Sequence, residues 1–130
     1  VTAPGETDLA KMLASLEVEQ RDGVYTFVVP DEPTDEMFAA SHATVVESEG
    51  ITLVLPVSVA REHGLPVVVE MAWLTLTVQS SLEAVGLTAA FSARLGEHEI
   101  PCNVLAGFHH DHILVPAAQA ADAIAALRFT

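Results

Sequence analysis

Between Leu74 and Pro116 the apolar spacing passes from strand to helix and back to strand, with few residues left for connections. This stretch constrains the fold more than any other. Leu74 to Val78 reads as a strand. Ser80 or Ser81 then caps a helix, and Glu83 stands where a capping box wants its carboxylate if Ser80 is the cap. Ala84, Leu87, Phe91 and Leu95 fall on one helical stripe that should face a sheet. Leu82, Gly86, Ala89 and Ala93 make the other side small or apolar, as for a helix touching another domain or subunit. Cys102 to Phe108 and Asp111 to Val115 follow as strands joined at Phe108-His109-His110. Pro116 opens a last helix with Ala120, Ala123, Ile124 and Leu127 as its buried stripe.

The first half is a trimmed version of the same order. Thr7 or Asp8 caps a short helix carrying Leu9, Met12, Leu13 and Leu16 on one side. Asp22-Gly23 turns into a β-rich run, Val24 to Val29, which Pro30 ends. One helical turn is expected at Glu36 to Ala40. Strands Ala43 to Glu47 and Ile51 to Leu55 form a hairpin about Glu49-Gly50. Pro56 suits the first turn of a helix, Val57 to His63, which Gly64 ends. Leu65 to Val78 is long for one strand, so a bend is expected near Glu70-Met71, dividing a first unit, 1–70, from a second, 71–130. The second unit reads β-α-β-β-α and lacks a fourth strand. Its edge must be left open, covered, or supplied by the first half or another subunit.

Composition narrows the function. Of 130 residues, 51% are apolar and 18% charged, which suits a globular chain. The net charge of −13 argues against nucleic acid or anionic lipid as partner, since both would be repelled. The cluster Asp31, Glu32, Asp35 and Glu36 lacks the glycine-centred alternation of a calcium loop and reads as a solvated loop. A single cysteine, Cys102, rules out an internal disulfide framework and suits a reducing compartment. Val1-Thr2-Ala3-Pro4 has neither a basic start nor an apolar core like a signal peptide, and Pro56 interrupts the longest apolar run. A cytoplasmic protein with no membrane partner is expected.

Ser80-Ser81-Leu82-Glu83-Ala84-Val85-Gly86-Leu87-Thr88, Cys102-Asn103-Val104-Leu105-Ala106-Gly107, His110-Asp111-His112 and Val115-Pro116 together resemble the small bacterial proteins built from tandem ACT domains. The resemblance is close from Leu74 to Leu127 and looser before. There, the hairpin Ala43 to Leu55 and the helix after Pro56 match a shortened first ACT unit. The order is also similar to the paired regulatory ACT domains of aspartate kinases. The resemblance implies an α+β, ferredoxin-like βαββαβ fold in two tandem units, with antiparallel sheets and helices packed on one face. It further implies an amino acid or similar small effector, bound where the loop before a first helix meets a neighbour's strand. Carried onto this chain, the loop residues are Gln79, Ser80, Ser81, Leu82 and Val85, and the strand residues are Cys102, Asn103, Val104 and Leu105. Gln79 stands where related sequences often carry a histidine, and His109 replaces an aromatic residue.

The chemistry of the loop stands apart from the name. Backbone N–H groups at a helix start lack intrahelical acceptors and carry partial positive charge, so they suit a carboxylate, with the Ser80 and Ser81 hydroxyls as further donors. The plainer alternative is that these serines only cap the helix. His110 and His112, two apart on a strand, share a face and can meet one metal ion. Two imidazoles are too few for a closed zinc site, and a polar hairpin turn explains His109-His110-Asp111-His112 as well. Cys102 reads as a small buried residue at a strand start. No nucleophile elbow, phosphate-binding glycine loop or paired-carboxylate motif is present, and no cofactor is called for. The sequence thus points to a non-enzymatic regulatory module, a homodimer answering to an amino acid. A metal-binding protein or metal-dependent enzyme using His110 and His112, and a structural oligomerisation domain, are the alternatives.

Overall fold

The computed structural model describes residues 9–78 and 86–129. In chain order the elements are α1 (Leu9–Ser15), β1 (Glu17–Gln20), β2 (Tyr25–Val28), α2 (Asp35–Ala40), β3 (Ala43–Glu47), β4 (Gly50–Pro56), α3 (Val57–Glu62), β5 (Met71–Thr77), α4 (Leu87–Glu97), β6 (Asn103–Ala106) and β7 (Asp111–Pro116), then a 3-10 turn at Ala117–Gln119 and α5 (Ala120–Ala126). They form two compact units, Asp22–Ala72, and Val1–Arg21 together with Trp73–Thr130.

Within Asp22–Ala72 the sheet order is β3-β4-β2, and Met71 at the start of β5 pairs with Tyr25 on the far side of β2. All these pairings are antiparallel, and the first strand lies between the third and the fourth, which is the ferredoxin-like order. Alternation along the strands sends Val28, Leu53 and Leu55 to one face, where they pack with Met37 of α2 and Ala60 of α3. Leu53 and Leu55 are fully buried, each contributing on the order of 1.5–3 kcal/mol by its transfer from water. The Thr34 hydroxyl caps α2 by accepting from the Met37 N–H, and Asp35 and Glu36 occupy the first turn. Half of the acidic cluster therefore faces the positive end of a helix.

In the other unit the order is β1-β5-β7-β6. The missing fourth strand is β1, four residues from the N-terminal part of the chain, paired antiparallel with β5 from Glu17↔Thr77 to Gln20↔Leu74. The sequence reading had no strand there. Glu-Val-Glu-Gln carries a single apolar residue, and its edge position needs no more. Leu87, Phe91 and Leu95 of α4 are buried as the stripe requires. On the last helix Ala120, Ala123 and Leu127 are buried and Ile124 is half-buried, while Ala126 joins the core instead. Arg94 of α4 donates to the carbonyls of Ala126 and Arg128 at 3.2 and 3.3 Å, placing a cation at the negative end of α5.

Several boundaries differ from expectation. Residues 65–70 are not strand, because Pro66 has no N–H to donate and Val68 is largely exposed, so the extended run shortens to β5. α4 starts at Leu87 with Gly86 as its N-cap and no side-chain cap bond, so Ser80 and Ser81 are not the residues at its start. The strand expected from Cys102 to Phe108 is β6, Asn103–Ala106. No helix among the described residues is long and apolar enough to cross a membrane.

Candidate functional site

The open face of the sheet in the unit containing β1 is the most chemically loaded surface described. Along β5 the side chains alternate, so Leu74 and Leu76 lie on one face while Trp73 and Thr75 lie on the other. Trp73 is buried, as is Thr75 at 8% exposure. His112 of β7 meets both. The Trp73 indole N–H donates to His112 Nδ1 at 3.2 Å, and the Thr75 hydroxyl lies 3.0 Å from the same nitrogen. An indole N–H can only donate, so Nδ1 accepts and the proton of the neutral ring sits on Nε2. Burial lowers the His112 pKa below the ordinary 6.5; the positive charge of Arg21 and then that of His110 add to the effect, while Asp111 opposes it.

Arg21 continues the β1 pairing, its N–H donating to the Trp73 carbonyl at 2.9 Å, and its guanidinium lies 4.2 Å from the centre of the Trp73 ring. A cation held over an indole face gains roughly 0.5–2 kcal/mol. The His110 and His112 rings stand 6.4 Å apart and perpendicular. Together Glu19, Gln20, Arg21, Thr75, His110 and His112 line an open cleft of about 560 Å³. Among the described residues no group of three or more His, Cys, Asp or Glu is arranged to hold a metal ion.

The sequence-predicted ligand residues divide into two sets. Gln79, Ser80, Ser81, Leu82 and Val85 lie outside the described residues. Cys102 is half-buried and not, as expected, buried; burial still raises its thiol pKa, which works against a thiolate nucleophile. Asn103 and Val104 are exposed and Leu105 half-buried on β6, an edge strand of the sheet order given above. The Asn103 amide donates to the Leu114 carbonyl at 3.4 Å. Leu105 pairs with His112, so the predicted strand and the histidine tract share the β6–β7 hairpin.

Sequence reasoning missed the cleft because it missed β1. The available signal was the alternation Glu17, Glu19, Arg21 against Val18 and Gln20, a period of two carried almost wholly by polar side chains. Trp73 is buried, and its hydrogen bond to His112 joins residues 39 apart in the chain, which only the fold brings together.

Two ferredoxin-like units, each with antiparallel strand pairing and helices, define the class. A family model described as ACT domain matches residues 4–72, and a second of the same description matches residues 68–128. The chain belongs to the ACT domain family. Among solved structures it is similar to a Vibrio cholerae protein described as of unknown function and possibly a transport protein, with 41% identity over 93% of this chain and 94% of that one and a TM-score of 0.84. It shares its fold with the regulatory subunit of aspartate kinase from Thermus thermophilus, at 11% identity, 86% and 92% coverage and a TM-score of 0.59. The Clostridium acetobutylicum aspartate kinase matches at 8% identity and a TM-score of 0.61, over 87% of this chain and 33% of that one. No curated protein matches.

Proposed function

We propose that the protein is a non-catalytic regulatory module that binds a small effector, an amino acid, and works as a cytoplasmic homodimer. The observation that carries this reading is the pair of ACT matches, residues 4–72 and 68–128, taken here as units 1–70 and 71–130, together with β6 as an edge strand on which Asn103 and Val104 are exposed. An edge strand offers unpaired backbone groups to a ligand or to a second copy. The residues assigned to the effector are Cys102, Asn103, Val104 and Leu105 and, in sequence before α4, Gln79, Ser80, Ser81, Leu82 and Val85. The shared fold with aspartate kinase regulatory subunits supports a regulatory role. Binding at such a place shifts assembly or a partner contact by as much as the effector prefers one state over the other.

A thermal-shift screen of the common amino acids, with and without zinc, tests this reading. One or a few amino acids raise the melting temperature, and Ser81→Trp removes the response. A shift with zinc alone, lost in His112→Ala, would replace the reading with metal binding. A flat screen would leave a structural oligomerisation domain. Sedimentation with and without the active amino acid reads the assembly state.

A further inference from the structure

The open-face cleft lies at β1 and the effector strand β6 lies at the opposite edge of the same sheet order. Cys102, Asn103, Val104 and Leu105 are not among the residues that line the cleft. Its lining carries both signs of charge, which is uncommon in so acidic a chain. Arg21 is one of only five Lys and Arg residues against eighteen Asp and Glu. A simple anion approaching this protein is repelled by the net charge of −13, whereas a zwitterion, neutral overall, is not.

We propose that this cleft is a second ligand site, taking a small zwitterion of the α-amino acid class, with its carboxylate on Arg21 and its ammonium on Glu19. Glu19 lies on β1 and Arg21 follows its last residue, with the pairing continued by the Arg21 N–H, so the two point to the same face with roughly 7 Å between their Cβ atoms. The register fixes where they sit. Glu19 lies opposite Thr75, and the Arg21 N–H bonds the Trp73 carbonyl. Stacking over the indole holds the guanidinium in place, so less rotamer freedom is lost when a carboxylate arrives. Buried Thr75, half-buried His112 and exposed His110 complete the lining. The cleft, about 560 Å³, falls in the range of small-molecule sites, commonly about 300–1,000 Å³.

The site also has a mechanical consequence. β1 is a four-residue edge strand, mostly exposed, joined to the sheet through β5. A ligand held by Glu19 and Arg21 on one side and by Thr75, His110 and His112 on the other ties that strand down. Occupancy therefore raises protection of the amides of residues 17–21 against hydrogen exchange.

Trp73 is the single tryptophan of the chain and touches both Arg21 and His112, so its fluorescence reports this cleft directly. The test titrates the full-length protein with each non-aromatic L-amino acid while following Trp73. Aromatic amino acids are followed by the ring-proton shifts of His110 and His112. At least one amino acid gives a saturable response. Propionate and propylamine, each carrying one charge of the pair, bind at least about tenfold more weakly. Glu19→Gln and Arg21→Gln each weaken binding by a similar factor, with unliganded melts establishing that both variants fold; Glu19 is exposed, so its variant is the safer reagent. A thermal shift with no response at Trp73, His110 or His112 would place the ligand elsewhere and overturn the cleft while leaving the regulatory reading intact. Propionate binding as tightly as the amino acid, or undiminished binding in both variants, overturns the zwitterion.

Discussion

β2 and β5 hold the same place, each the first strand of its ferredoxin-like unit, and each carries a buried threonine, the only buried polar residues among those described. Their circumstances are opposite. Thr26 is fully buried with its hydroxyl lacking a hydrogen-bond partner among the described residues. Thr75 is on the open face and shares His112 Nδ1 with Trp73. The same residue type at the same topological position is a cost in one unit and part of a polar network in the other. What distinguishes the two is the company the second keeps, namely Arg21, Trp73 and His112. The fold is repeated; the chemistry is not.

The largest test of that contrast is in the core. Phe91→Ala empties a fully buried site on α4 and should cost about 3–5 kcal/mol, read from the urea midpoint at unchanged m-value. If Trp73 fluorescence and far-UV circular dichroism then follow one shared transition, the network melts with the core beneath it. Separate transitions would show that the open face holds together on its own.

The hairpin glycines come next. At Gly50, φ is 149° and an added Cβ would come within 2.8 Å of Val29 Cγ1, so Gly50→Ala should cost roughly 1–3 kcal/mol in the first unit. At Gly107 an added Cβ would meet the His110 carbonyl oxygen at 2.9 Å and His112 Nε2 at 3.2 Å. Gly107→Ala should therefore disturb Trp73 fluorescence through His112, whereas Gly50→Ala should leave that signal alone. Equal spectral changes in the two variants would break the assignment of His112 to the Trp73 network.

Thr→Val at the two buried sites gives smaller effects of opposite sign. Thr26→Val removes an unsatisfied buried hydroxyl and should stabilise by about 1–2 kcal/mol. Thr75→Val removes a partner of His112 and should destabilise by about 0.5–1.5 kcal/mol. Matching signs in chemical denaturation would remove the difference between the strands.

The smallest effect is in pH. His112 has a folded pKa below its unfolded value, so the unfolded chain takes up that proton first as pH falls. Stability from this group is complete above about 6.5 and declines as pH drops from there through the folded pKa. In His112→Gln that part of the slope disappears, and NMR of the wild-type ring should show its titration displaced to lower pH. A midpoint at or above the ordinary histidine value would contradict the burial and the nearby Arg21 charge.

The sequence by itself determined the order of elements other than β1, the family and most of the core. Apolar spacing and turn residues placed α3, α4, the two hairpins and the helix after Pro116, because those signals lie within a few residues of one another. It also placed His110 and His112 together on one face and a strand over Asn103–Ala106. Tertiary structure alone decided that Glu17–Gln20 is a strand, since an exposed edge segment is held by backbone pairing to β5 and needs no apolar alternation of its own. The same holds for the start of α4 at Gly86, where no side-chain cap marks the boundary. The cleft was illegible for a related reason. Arg21, Trp73 and His112 are far apart in the chain and ordinary in their local surroundings, and they become a site only when β1, β5 and β7 lie side by side.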